Sequence, residues 1–209
     1  NIGNPLDVRI TLNPAVPTND FVTVDIDCGS NRTTQIYRSP YNLNQGQETN
    51  VNFQFYLSRP LFNISTTGLC NVKVEYGGEF ALSNNFDISN KIDVELNIQK
   101  DKYNPGEKII VGGMALQKSE MPVDGFAEIF FDGLNLKYSK TISQGNFSYN
   151  VDLPSDAKSG DYNLTVRVYQ KDNYGNIINE GVEIVGIKVL QIITGLEVIL
   201  PEQNVKPGD

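Results

Sequence analysis

Apolar and polar residues alternate one by one along most of this chain, and a period of two confines a polypeptide to extended strands. Ile92, Val94, Leu96 and Ile98 fall on one side, while Asp93, Glu95 and Asn97 fall on the other. Val22, Val24, Ile26 and Cys28 form a second apolar face, and Cys70, Val72, Val74 and Tyr76 a third. Further on, Phe147, Tyr149, Val151 and Leu153 alternate in the same way, as do Tyr162, Leu164, Val166 and Val168. One apolar and one polar face per strand is what antiparallel sheets packed face to face require. Turn signals separate the runs at Asp124-Gly125, Asp132-Gly133, Gln144 to Asn146 and Asp172 to Asn176. Only residues 154–160 have the composition of a helical turn, so the chain is predicted to be all-β with almost no helix.

The strand pattern repeats. Ile92-Asp-Val-Glu-Leu-Asn-Ile98 precedes Tyr103-Asn-Pro105-Gly106-Glu107, and Thr194-Gly-Leu-Glu-Val-Ile-Leu200 precedes Val205-Lys-Pro207-Gly208-Asp209 without a gap between the two alignments. A weaker copy, Leu6 to Leu12 followed by Pro17 to Asp20, opens the chain. Three equivalent starts therefore lie roughly 90 to 100 residues apart, a spacing typical of β-sandwich modules. Gly68 to Val74 matches Gly160 to Val166 in position and alternation, as the late strand of each module. The expected organisation is one sandwich over 1–90, a second over 91–193, and a segment 194–209. That last segment is either the opening strand of a further module or a strand donated to another subunit, through Leu196, Val198 and Leu200.

Composition excludes several function classes. The 209 residues contain no His, which removes the commonest general base and the commonest transition-metal ligand. Two Cys cannot assemble a Cys/His structural zinc site. A net charge of −8 with dispersed Lys and Arg argues against nucleic acid. No apolar run approaches the roughly 18 residues of a membrane-spanning helix, so no membrane insertion is expected within this segment.

Cys28 and Cys70 both fall on the apolar register of their strands and are expected to form a disulfide; the alternative is a pair of buried free thiols. The bridge would close a loop of about 40 residues, worth about 3 to 4 kcal/mol in the chain-entropy model. Ala115 and Tyr162 take the matching positions in the second module. Four Asn-X-Ser/Thr sequons mark possible glycan sites at Asn31, Asn63, Asn146 and Asn163. Asn31 and Asn146 fall in turns, Asn63 in a polar connection, and Asn163 on the outward register of its strand. Asp20, Asp25, Asp27, Asp124 and Asp132 raise calcium, but no loop repeats its acids in the manner of a calcium site, and no metal or cofactor is expected. No catalytic residue is singled out either.

Tyr103-x-Pro105-Gly106-Glu107, Val111-x-Gly113, Pro122-Val123-x-Gly125, Gly145-x-Phe147, Leu153-Pro154 and Gly160-x-Tyr162-x-Leu164-x-Val166 together resemble the immunoglobulin-like repeats of bacterial and archaeal surface proteins. The pattern is also similar to the macroglobulin-type, invasin-like sandwich domain, and its Asn-rich style is most similar to archaeal multi-domain surface proteins. The resemblance covers most of the second module and reaches the first only through the matched strands. It implies an immunoglobulin-like fold, an extracellular or cell-surface setting, and a tyrosine corner in which the Tyr162 hydroxyl caps a nearby carbonyl. It implies no ligand site or activity.

The chain is therefore expected to be a non-enzymatic structural or adhesive protein: part of a stalk, a surface lattice or an extracellular filament. Its partners would be other copies of itself or neighbouring modules of the same protein. The alternative is a carbohydrate-binding module, contacting surface glycans through Tyr37, Tyr41, Tyr138, Tyr169 and Tyr174, or a non-catalytic appendage of an extracellular enzyme.

Overall fold

The computed structural model describes residues 1–29, 33–58, 62 and 67–191. Every helix or strand among them is a strand, as the alternation requires. In the N-terminal half, β1 (Pro5–Leu12) pairs antiparallel with β4 (Thr49–Tyr56). A second sheet places β2 (Thr18–Asp27) between β3 (Thr33–Leu43) and β5 (Gly68–Tyr76), with β6 (Glu79–Leu82) beyond β5. The short β7 (Phe86–Ile88) pairs with the start of β5. In the C-terminal half, β10 (Lys108–Gln117) lies between β8 (Ile92–Ile98) and β13 (Asn146–Asp152). The facing sheet runs β12 (Leu136–Ile142), β11 (Gly125–Phe131), β14 (Gly160–Lys171), β15 (Ile177–Val189) and β9 (Lys102–Tyr103).

Inward-turned residues of both sheets meet in one core per half. Val8, Leu12, Val22, Val24, Ile26, Val51 and Cys70 belong to the first, and Ile109, Val111, Ile129, Val151, Leu164 and Val166 to the second. Burying each such side chain is worth about 1.5–3 kcal/mol, against about 1 kcal/mol net for a ladder hydrogen bond. The apolar register, rather than backbone pairing, therefore decides which face turns inward.

Pairing corrects the expected counterpart of Leu6 to Leu12. This segment does not occupy the place of β8; it occupies the place of β10. Val8 stands opposite Phe53 on β4, as Val111 stands opposite Tyr149 on β13. Both strands leave the same turn: the Asn4 N–H donates to the Asn1 carbonyl at 3.1 Å, and the Glu107 N–H to the Asn104 carbonyl at 3.1 Å. Gly3 and Gly106 each hold that turn at positive φ, 92° and 80°, where a Cβ is disfavoured. Asn1 to Asn4 therefore match Asn104 to Glu107, and Pro17 to Asp20 instead lead into β2. Eight alternating residues look alike in any strand; the turn before them carries the identity.

The same comparison moves a second equivalence. Cys28 is bonded to Cys70, and this disulfide closes the first core. Ile26 stands opposite Val72 and Phe131 opposite Leu164, which makes Gly133, not Ala115, the counterpart of Cys28. Ala115 matches Leu12. Where the first half has a sulfur bridge, the second lays the Tyr162 ring on Gly133: a Cβ there would stand 3.3 Å from Tyr162 Cε1. The Tyr162 hydroxyl donates to the Lys158 carbonyl at 2.8 Å, fixing the ring over the turn.

Two substitutions separate these closures. Replacing both Cys28 and Cys70 with Ala, across a sequence separation of 42, is expected to cost the first half about 4 kcal/mol and leave the second unchanged. Gly133→Ala, at φ 84°, is expected to cost the second half about 1–2 kcal/mol. Urea unfolding followed by tyrosine fluorescence and proteolysis reads the two transitions; a shift of both together by either change would show the halves to be one cooperative unit.

Candidate functional site

An open groove lies beside β1. In the second half, β10 is hydrogen-bonded on both sides, and β8 turns Val94, Leu96 and Ile98 into the core while also packing on β14 and β15. β1 has β4 on one side; among the described residues no strand pairs with its other edge. A groove of about 850 Å³ lies there, between β1 and β6. Val8, Ile10, Leu12 and Val74 supply its apolar lining, and Phe80 and Leu82 border it at 65% and 58% exposure. Val74 is half-buried, whereas its counterpart Val166 is fully buried under the strands of the second half. An unpaired edge beside exposed apolar side chains invites another strand.

Three charged residues, Asp7, Arg9 and Glu79, also line the groove. Asp7 and Arg9 are exposed on the outward register of β1, and Asp7 accepts from Gln54 Nε2 at 3.0 Å. Lys73 pairs with Glu75 and lies 5.4 Å from the centre of the Phe80 ring. Burial pushes the Asp25 carboxyl above its ordinary range, Glu75 adds to that push, and Lys73 opposes it.

The other predicted site residues are dispersed. Asn146 and Asn163 are both exposed, Asn146 opening β13 and Asn163 on the outward face of β14. Asn31, Asn63, Leu196, Val198 and Leu200 lie outside the described residues. Asp27 caps the Gly29 N–H at 3.0 Å and Asp124 accepts the Gln144 N–H at 2.7 Å, ordinary turn roles. Among the described residues, no three His, Cys, Asp or Glu gather as a metal site, and no helix is long and apolar enough to cross a membrane. The expected tyrosine platform does not form as drawn. Tyr169 is buried, its ring stacked on Phe126 at 5.4 Å, because Tyr169 sits beside the core strand β11. Tyr37 and Tyr41 are half-buried and share a hydroxyl contact of 3.0 Å; Tyr174 alone of the five is exposed, at 83%.

A polar junction between the halves was missed from sequence. Asn179, 1% exposed, donates to the Ile2 carbonyl at 2.7 Å and to Gln170 Oε1 at 3.0 Å. Gln117 donates to the same Gln170 oxygen at 2.8 Å and accepts from Asn4 Nδ2 at 2.7 Å. The Ile2 N–H donates to the Ser89 carbonyl at 3.0 Å, and Ile178 packs on the first core. One signal was available: Gln117 continues the inward register of Val111, Gly113 and Ala115, and a polar residue there needs a partner.

The turn before β10 is set by charge. Lys100 Nζ at 2.8 Å and Asn104 Nδ2 at 2.9 Å hold the Glu107 carboxylate, whose pKa falls to about 2, with the Lys100 hydrogen bond as the largest cause. A depressed carboxyl stabilises the fold fully above its unfolded pKa of 4.5, and that contribution is lost as pH falls toward about 2. Glu107→Gln is expected to flatten the acid-induced fall in stability over that window; an unchanged pH profile by circular dichroism would remove the turn from the acid response. Comparison with known protein families and with curated proteins finds no match for this chain.

Proposed function

We propose that this chain is a non-enzymatic, extracellular structural element: two tandem immunoglobulin-like sandwiches that act as a stiff link in a surface stalk, lattice or filament. The observation that carries the reading is the buried junction, where Asn179, Gln117, Gln170 and Asn4 tie the halves together across a connector as short as Ser89 to Lys91. A flexible tether between independent binding modules needs no such interlock; a load-bearing spacer does. The strand order supports the immunoglobulin-like assignment, with β8, β10 and β13 in one sheet and β11, β14 and β15 central to the other. The Tyr162 hydroxyl bond to the Lys158 carbonyl is the tyrosine-corner contact that the assignment calls for. The disulfide fits an oxidising compartment, and outward-facing Asn146 and Asn163 suit a glycosylated surface.

Strands of up to 13 residues give each half a length of about 40 Å and the pair about 80 Å. Small-angle X-ray scattering is expected to report a rod of that length, and Asn179→Ala to broaden its distance distribution while costing about 1–3 kcal/mol. Electron microscopy of native material is expected to show the chain in ordered assemblies. A freely jointed scattering profile together with dispersed single molecules would sink the structural reading.

A further inference from the structure

We infer that Asn163 carries an N-linked glycan whose first sugar lies over Gly186 and covers the side chain of Ile184. The inference rests on the extracellular reading above, since sequons are used in secreted chains, and it gives one sequon a definite place in the fold. β14 turns Asn163 and Thr165 outward while Leu164 between them is fully buried. The acceptor amide and the hydroxyl that a sequon requires thus share one solvent-facing side. Among the described residues the Asn163 side chain has no hydrogen bond, whereas Asn146 Nδ2 donates to the Gln144 carbonyl at 3.0 Å. The counterpart of Asn163 in the first half, Asn71, is followed by Val72 and Lys73 in place of a sequon, and its Oδ1 is buried.

Gly186 stands directly opposite Asn163 on β15. Residues paired in this way hold their side chains on one face, about 4.5–5.5 Å apart. A glycine inside a strand weakens it and marks a bend or a close approach. Gly133 has such a reason in its positive φ, and Gly181 in the Ile92 carbonyl that a Cβ would strike. Gly186 has neither: its φ is not positive, and a Cβ there would meet nothing within 4 Å. The fold admits a side chain at this position, yet the space beside the Asn163 amide is left open.

Ile184, 57% exposed, borders that space. It stands opposite Thr165, whose other neighbour is Phe130 on β11, and lies diagonal to Asn163, about 7–8 Å away. A pyranose joined to Nδ2 and laid across Gly186 sets its C–H face on Ile184 and removes apolar surface from water. The other diagonal neighbour, Lys188, is charged and exposed. Further along the same face the sheet covers itself: Arg167 bonds Glu180 at 2.7 Å, and Phe126 stacks on Tyr169.

The sugar comes from a lipid-linked oligosaccharyl phosphate. The Asn163 Nδ2–C1 bond forms as the C1–O bond to the phosphate breaks; the lipid phosphate leaves with that electron pair, and the amide gives up one proton. β14 is paired along both edges, so transfer precedes closure of the sheet.

Trypsin releases residues 159–167, in which Asn163 is the one sequon. Mass spectrometry of the chain purified from its native host is expected to find this peptide bearing sugar. Thr165→Val is expected to lose the added mass with circular dichroism unchanged, and Thr165→Ser to keep it. In the glycosylated chain, a nuclear Overhauser contact is expected between the first sugar's ring protons and the Ile184 methyls. Gly186→Leu should abolish that contact without unfolding the chain, because its Cβ enters open space. A bare peptide from material that forms ordered assemblies overturns the inference and leaves the structural reading standing. A bare peptide from unassembled chains retained inside the cell overturns both. Sugar at Asn163 without contact to Ile184, or Ile184 covered instead by a second copy of the chain, also overturns the inference.

Discussion

A strand inside a two-sheet core has two obligations: its apolar side chains must be covered by the facing sheet, and its backbone N–H and C=O groups must be paired along both edges. β10 meets both, with β8 and β13 as neighbours and β11 and β14 across the core. Among the described residues, β1 meets the first only in part and the second on one edge. Much of what distinguishes the two halves descends from that difference: the groove toward β6, the partial exposure of Val74, and the bare Phe80 and Leu82. The cost of leaving such an edge bare is not mainly lost hydrogen bonds, since water replaces those; it is apolar surface held in water at about 25 cal/mol per Å².

The junction is the other place where polarity is used against the apolar trend. Asn179 is almost completely buried and its Oδ1 has no hydrogen-bond partner among the described residues, while its amide donates twice. A well-packed apolar contact would hold two halves together at least as strongly. Directional bonds instead fix the angle between them, because each donor reaches its acceptor in one arrangement only. Ile178, reaching from β15 into the first core, adds the apolar part of the same seam.

The all-β character was legible in the sequence because alternation is local: each pair of neighbouring residues reports its own strand. The disulfide was legible for the same reason, both cysteines falling on inward registers. What misled was identity among strands. Leu6 to Leu12 and Ile92 to Ile98 share a pattern, yet their neighbours differ, and only the positive-φ turn at Gly3, written without the Pro and Glu of its counterpart at Gly106, tells them apart. Cys28 was matched to Ala115 by the same slip, whereas its spatial counterpart is Gly133. Tyr169 misled differently: a tyrosine after a valine on a long strand looks exposed until the stacking of Phe126 is known. The groove had no local signature at all, since it depends on which strands lie beside β1 among the described residues.

The disulfide also divides the two halves in how they would respond to a pull on the ends. Stretching a chain draws it out to at most about 3.3–3.6 Å per residue, but the segment between Cys28 and Cys70 is short-circuited by a covalent bond. Its 42-residue span withholds about 140 Å of slack that the second half, with Tyr162 over Gly133 in place of a covalent bridge, would release in full. Under tension the first half thus yields less length than the second, while β1, outside the Cys28–Cys70 loop, stays free to be drawn out.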